Sequence, residues 1–165
     1  MRDIFVISDT HFGHENIIRY CNRPFANAEL MDECMADNWN SVVKAEDIVY
    51  HLGDVYFSGA YSRLYNLNGR KRLILGNHDN GKDQRLQEVF QKIMVWRMFP
   101  EFGLLLSHIP LHETVLQNSY GYNLINVHGH IHNQDAPSDR HINVSVEQIN
   151  YTPTAIEDLI KKKTN

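Results

Sequence analysis

The stretch Leu73-Ile74-Leu75-Gly76-Asn77-His78-Asp79 runs from large apolar residues to a glycine and then to an amide, an imidazole and a carboxylate. A short apolar run that ends in a turn signal predicts a buried strand. Glycine, asparagine and aspartate are also common in ordinary turns. Taken alone, the tetrapeptide GNHD at residues 76–79 therefore indicates a turn slightly more than a functional site, and the surrounding chain has to decide between them.

The rest of the chain alternates between strand-like and helix-like segments in its first half. Strands are predicted at residues 4–8, 47–52, 72–75, 104–106, 123–127 and 143–146. Helices are predicted at residues 28–43, 61–67, 83–93 and 154–162. Alternation of this kind favours the α/β class, and the strand-rich second half predicts a second or a mixed sheet.

Composition limits the class of protein. A chain of 165 residues with 42% hydrophobic residues predicts one domain over residues 1–165. A net charge of −4 argues against an extended nucleic-acid footprint or a membrane partner. The chain has only two cysteines and no secretory leader pattern, so we expect a cytoplasmic protein in a reducing compartment.

Polar side chains follow five of the predicted strands, at the point where each strand ends. They are Asp9 and His11, then Asp54, then Asn77, His78 and Asp79, then His108, and then His130 and His132. Ligands of open α/β sheets bind at this carboxyl edge, so we expect these side chains to share one crevice. Imidazole and carboxylate donors together favour Mn, Fe, Zn, Co or Ni over Ca or Mg.

Spacing supports a metal site. Asp9 and His11 are two residues apart, as are His130 and His132, so in an extended chain each pair would project to one face. Asp54 could lie between two ions, with one carboxylate oxygen for each. The glycines at positions 53, 76 and 129 predict close backbone approach to the site.

Each motif alone has an ordinary structural explanation. Asp9-x-His11 is typical of a capping turn, Gly53-Asp54 is a turn signal, and His108 after an apolar strand is typical of a hydrogen-bonded core histidine. Five such motifs in this order, each at a strand end, are difficult to explain as turns.

The ordered set Asp-x-His, Gly-Asp, Gly-Asn-His-Asp, a single His and Gly-His-x-His resembles the calcineurin-like metallophosphoesterase superfamily, and in particular its small bacterial and phage-type members. The motifs extend from Asp9 to His132, which is most of the chain. The resemblance implies a four-layer αββα sandwich of two mixed sheets. It also implies a centre of two divalent transition-metal ions, with Mn favoured and Fe, Zn, Ni or Co as alternatives.

Residue roles follow from the resemblance by motif position. One ion would be held by Asp9, His11, Asp54 and His132. The other would be held by Asp54, Asn77, His108 and His130. A hydroxide bridging the ions would attack phosphorus, His78 would act as an acid or stabilise the transition state, and Asp79 would orient the ring of His78.

The expected substrates are small phosphoesters, with diesters favoured over monoesters. His14, His112 and Arg140 could contact substrate, although surface or packing roles are open for each, and Tyr120 to Tyr122 could line the crevice. The alternative function is a scaffold or interaction module of the same fold that retains metal without turnover. The sequence gives no oligomeric state.

Overall fold

The computed structural model describes residues 2–117 and 123–164. The expectation for Tyr120 to Tyr122 lies outside these residues. No helix within the two described ranges combines the length and the apolarity that crossing a bilayer requires.

The first sheet has five strands in the order β4-β3-β2-β1-β9. Its strands are β1 (Ile4–Ile7), β2 (Ile48–His51), β3 (Arg70–Ile74), β4 (Lys92–Met94) and β9 (Thr154–Ala155). The first four run parallel to one another, and β9 pairs antiparallel with β1. This sheet is therefore mixed.

The second sheet has four strands in the order β5-β6-β7-β8. They are β5 (Trp96–Phe99), β6 (Leu104–Ser107), β7 (Ile125–His128) and β8 (His141–Asn143). The last three are parallel, and β5 pairs antiparallel with β6. This sheet is also mixed.

Four helices of the described ranges pack against the outer faces of the two sheets, and the C-terminal helix packs into the core between the sheets through Ile156 and Leu159. The helices are α1 (Glu15–Tyr20), α2 (Ala28–Val42), α3 (Gln84–Val89), α4 (Glu113–Leu116) and α5 (Ile156–Thr164). Short 3-10 helices span Ala60–Asn66, Pro100–Phe102 and Val146–Gln148.

Alternation of side chains along the strands builds the layers. In β1, Val6 faces a core shared with Leu106 and Val127 of the second sheet, whereas Ile7 faces a core shared with Trp39 of α2. On the far side of the second sheet, Leu105 packs with Leu116 of α4. The expected αββα order of two mixed sheets is confirmed, with a thin outermost layer because α4 has only four residues.

Two element predictions are wrong. The helix predicted at residues 83–93 ends at Val89, and Ile93 and Met94 belong to β4, where they face opposite cores. Short apolar runs do not distinguish a helix end from a strand, which explains the error. The strand predicted at residues 143–146 ends earlier, since β8 stops at Asn143.

The carboxyl ends of the parallel strands meet at one edge of the sandwich. Beyond β1, the backbone N–H of Ser8 donates to Val144 O at 3.0 Å, and its carbonyl accepts from Val146 N at 3.1 Å. This parallel bridge joins the end of the first sheet to the segment that follows β8. The loops after five strands are thereby brought together.

Candidate metal centre

Two groups of potential ligands lie side by side at this edge. One consists of Asp9, His11 and His132, and the other of Asp54, His108 and His130, with the donor atoms of each group within 4.8 Å of one another. Asn77 joins the second group, since its Oδ1 lies 2.8 Å from His108 Nε2 and 2.9 Å from His130 Nδ1. The structure thus brings together all seven side chains that were predicted as metal ligands.

Asp54 lies between the two groups. Its Oδ2 is 3.5 Å from His11 Nε2 and 3.6 Å from His108 Nε2. Its other oxygen, Oδ1, accepts the backbone N–H of His78 at 2.9 Å. A single oxygen of Asp54 thus faces both groups, while the other accepts a backbone N–H, and the division of one oxygen for each ion stays a prediction.

Several buried donor atoms in the first group lack a partner among the described residues. They are Asp9 Oδ1 and both ring nitrogens of His11. A buried polar atom without a hydrogen bond is costly, typically ~1–3 kcal/mol, and is rare in folded proteins. Burial also lowers the pKa of His11, which favours the neutral ring that can bind a cation.

The orientation of His108 is set by the main chain. Its Nδ1 lies 2.8 Å from the carbonyl oxygen of Leu52, a contact in which the ring nitrogen must donate. With a proton on Nδ1, the neutral ring would keep a lone pair on Nε2 for a cation in the second group. Histidine ligands of metals are usually held by such a bond from the other ring nitrogen.

Five of these side chains are carried on left-handed backbone. The φ angles are 58° at Asp9, 49° at His11, 56° at Asp54, 69° at His130 and 50° at His132. Such residues cost about 1–3 kcal/mol each and occur mainly at functional sites. The prediction that Asp9 and His11, and likewise His130 and His132, lie in extended chain is therefore wrong. The chain turns between His130 and His132, so their rings belong to different groups of ligands.

Glycines permit the close packing, as expected. A Cβ on Gly129 would lie 2.1 Å from Asp9 Oδ2, and one on Gly76 would lie 2.2 Å from Asp54 Oδ1. Gly53 has a φ of +102°, and its Cβ would lie 2.4 Å from Gly76 N. Only glycine fits at these three positions.

Asp79 has a different role from the one expected. Its Oδ2 accepts the N–H groups of Asp54 at 2.9 Å and Gly76 at 2.8 Å, and its Oδ1 accepts that of Val55 at 3.0 Å. Both oxygens therefore hold the loops after β2 and β3 rather than the ring of His78. Burial raises the pKa of Asp79, and the three backbone amides oppose that shift.

His78 lies at the rim of the site. Its side chain is 50% exposed, and Nε2 is 4.0 Å from Asp54 Oδ2. Phe57 packs beside the ring of His78 and stacks on His11 and on His14, with centroid distances of 5.3 Å to His11 and 4.3 Å to His14. Asn77, His78 and His130 are exposed while Asp9, His11 and Asp54 are buried, so the site opens to solvent on one side.

The motifs did not identify a charged network behind the first group. His132 Nδ1 lies 3.2 Å from Glu147 Oε1, and the same oxygen accepts from Arg23 Nε at 2.9 Å. Arg23 also donates to the carbonyl oxygens of Asp9 and Thr10. The local sequence shows only a single charge after Val144-Ser145-Val146, because Arg23 and Glu147 are 124 positions apart.

This network sets the charge of His132 in the metal-free site. Burial lowers its pKa, but hydrogen bonds to Cys21 and Glu147 and the charge of Asp9 outweigh burial and raise the pKa to about 10. A cation that binds His132 must therefore displace a proton. Carboxylate partners of this kind fix the orientation of metal-binding histidines.

The three side chains suggested as substrate contacts differ in position. His14 is close to the first group, since its ring lies 5.5 Å from that of His11. His112 caps α4, where its Nδ1 accepts the N–H of Thr114 at 3.3 Å. Arg140 precedes β8, at the end of the parallel strands opposite the site, and its carbonyl oxygen accepts from Asn126 N. Its position is inconsistent with the expected phosphate contact, whereas capping gives His112 a structural role.

Comparisons with known proteins identify the family. Residues 1–150 match the model of the calcineurin-like phosphoesterase superfamily domain, so the chain belongs to this superfamily. It is accordingly a metal-dependent phosphoric ester hydrolase.

Similar proteins are known in archaea, bacteria and phages. The chain is 40% identical to the uncharacterized protein MJ1445 of Methanocaldococcus jannaschii over 98% of this chain and 91% of that protein. It is 38% identical to the Gene 66 protein of Mycobacterium phage D29 over 48% of this chain and 41% of that protein. The crystal structure of the protein of unknown function AQ665 from Aquifex aeolicus superposes with a TM-score of 0.80 at 29% identity, over 98% of this chain and 100% of that one.

Proposed function

We propose that this chain, acting as one domain over residues 1–165 in the cytoplasm, hydrolyses small phosphoesters with two divalent transition-metal ions, of which Mn is favoured. The observation that carries the proposal is the position of Asp54 Oδ2, 3.5 Å from His11 Nε2 and 3.6 Å from His108 Nε2. A carboxylate oxygen that faces two clusters of donors suits a shared ligand.

The residues present fit two such ions. Asp9, His11 and His132 would hold one ion, with Asp54 shared, and Asn77, His108 and His130 would hold the other. The buried, unpartnered Asp9 Oδ1 and His11 nitrogens support this assignment, because a cation would satisfy them. The mixed nitrogen and oxygen donors suit first-row transition metals.

When bound, the two ions would act as Lewis acids that activate an attacking water and offset charge on the phosphoryl oxygens. The chain supplies the remaining groups. His78 at the rim can donate a proton to the leaving oxygen or a hydrogen bond to a phosphoryl oxygen. Asp79 holds the loops that carry Asp54 and Gly76 in register.

Diesters are favoured over monoesters by the charge of the rim. Its residues Asn77, His78 and His130 carry no permanent positive charge. A diester bears one negative charge and needs less compensation than a dianionic monoester. The preference therefore rests on the absence of an arginine or lysine among these three rim residues, either of which would compensate the second charge of a monoester.

The test is hydrolysis of bis-p-nitrophenyl phosphate and p-nitrophenyl phosphate by metal-stripped protein refilled with Mn, Ni, Co, Zn or Mg. We expect turnover that depends on metal, is faster for the diester and is abolished by Asp54→Asn. Asp158→Asn on the exposed face of α5 is the matched control and should retain full activity. Metal binding with no turnover of either ester would instead favour the metal-retaining scaffold.

A second variant tests the role of His78. We expect His78→Ala to lower kcat by on the order of 10²–10⁴, the usual range for a general acid, while metal content is unchanged. Steady-state kinetics and elemental analysis of the same preparation measure both quantities. Normal turnover in this variant would remove His78 from the mechanism.

A further inference from the structure

A cavity of about 560 Å³ opens directly beside the second group of ligands. Asn77 and His108 form part of its wall, and the rest comes from the end of β3, the edge strand β5, its neighbour β6 and the segments around α4. Its volume is in the range of small-molecule sites, roughly 300–1,000 Å³. A group held in this cavity would therefore be adjacent to a phosphate at the proposed metal centre.

The wall of the cavity is mostly apolar and is exposed to solvent. Val95 is 70% exposed, Trp96 58% and Ile109 49%, and all three line the cavity. Clustered exposed apolar side chains are unusual on a soluble domain and mark binding sites. The one hydroxyl in the described wall, that of Ser107, donates to the carbonyl oxygen of Ile109 at 2.7 Å.

We propose that this cavity receives an aromatic ester group of the substrate, with Trp96 as the surface on which the ring packs. This inference rests on the proposed phosphoesterase function and specifies its substrate class. The indole of Trp96 offers a flat face, and rings stack favourably on such faces. Because the Ser107 hydroxyl is already engaged, recognition depends on burial and stacking and does not read hydrogen-bonding edges of the ring.

The experiment compares two unreactive phosphonates that differ only in the group on phosphorus. Phenylphosphonate and methylphosphonate are titrated into Mn-loaded protein by calorimetry and tested as competitive inhibitors of bis-p-nitrophenyl phosphate hydrolysis. We expect phenylphosphonate to bind about tenfold more tightly, as stacking of one ring provides. In Trp96→Ala the two affinities should become nearly equal, with that of methylphosphonate unchanged.

Two further variants control the result. Trp96→Phe keeps a ring and should retain most of the preference. Tyr65→Ala removes another exposed aromatic side chain, on the 3-10 helix Ala60–Asn66, and should leave both affinities at the wild-type value.

The outcomes separate the two proposals. Metal-dependent turnover with equal affinity for both phosphonates, or a preference that survives Trp96→Ala, would overturn the aromatic site alone. Loss of methylphosphonate binding in Trp96→Ala would also overturn it, because the side chain would then act on the centre rather than on the ring. Absence of turnover with either nitrophenyl ester would count against the phosphoesterase itself, and failure of both phosphonates to bind would overturn both proposals.

Discussion

The replacement Gly129→Ala tests whether close packing of the backbone positions the first group of ligands. Asp9 Oδ2 accepts the N–H of His130 at 2.8 Å and the hydroxyl of Ser145 at 3.1 Å, which leaves Oδ1 directed at His11 and His132. An added Cβ at position 129 would lie 2.1 Å from that Oδ2 and 2.0 Å from Ser8 Oγ. The methyl group therefore collides with the support of the ligand and not with the ligand oxygen itself.

The size of the effect follows from these distances. The Asp9 carboxylate would have to retreat by about 1 Å or more to restore van der Waals contact. Asp9 is fully buried, so there is little free space to receive it. We expect a loss of about 1–3 kcal/mol in the free energy of unfolding from overpacking. A misplacement of ~1 Å in catalytic geometry should also lower kcat/KM by about 10².

Three measurements on one preparation check the prediction. Urea unfolding gives stability, equilibrium dialysis with Mn gives the number of ions bound, and hydrolysis of bis-p-nitrophenyl phosphate gives kcat/KM. Gly81→Ala is the matched control, because its Cβ would meet only the end of the Leu75 side chain at 3.2 Å. Wild-type metal stoichiometry together with wild-type turnover in Gly129→Ala would refute the packing argument.

Two further predictions concern the loops and the core. Asp79→Asn should lower the free energy of unfolding by ~1–3 kcal/mol, because an amide NH₂ would face the N–H of Val55 or of Asp54. A fall in kcat with unchanged urea stability would instead indicate that Asp79 acts on the ring of His78. Burial lowers the pKa of His51 to about 3, so the folded protein keeps this ring neutral while the unfolded chain gains a proton below pH 6.5. The metal-free protein should therefore lose up to ~1.4 kcal/mol of stability per pH unit from this group as the pH falls from 6.5 towards 3. In urea titrations across that range His51→Gln should give a flatter profile, and an identical slope would contradict the assignment.

The strand ends and the polar residues that follow them could be predicted from the sequence, because the apolar run and the turn residue that mark a strand end are adjacent in the chain. An apolar run followed by a turn residue describes β1, β2, β3, β6 and β7 within a residue or two. Short elements without such a signal were misread or not predicted. The edge strand β5 includes Arg97, and β4 follows α3 with almost no break, so neither has a distinct pattern.

Long-range partners escaped prediction for a different reason. The bond from Arg23 to Glu147 spans 124 positions, and the bond from Gly13 to Asp32 depends on how α2 packs. In the sequence, Arg23, Asp32 and Glu147 look like ordinary charged surface residues, because the neighbouring residues do not show whether a charged side chain is buried with a partner or exposed to solvent. Whether both partners of such a bond are buried is decided only when the chain folds.

The sequence by itself determined the class of the fold, the set of donor side chains and the family, since each depends on residue type and order along the chain. The resemblance also assigned each donor to one of the two ions, and only the tertiary structure shows the backbone conformation that produces this division. Left-handed backbone at His130 and His132 sends neighbouring rings to different groups, and Asp54 accepts the His78 N–H with one oxygen while the other faces both groups. The physical reason is that φ angles and hydrogen-bond competition at a crowded strand edge are settled by packing between segments far apart in the chain.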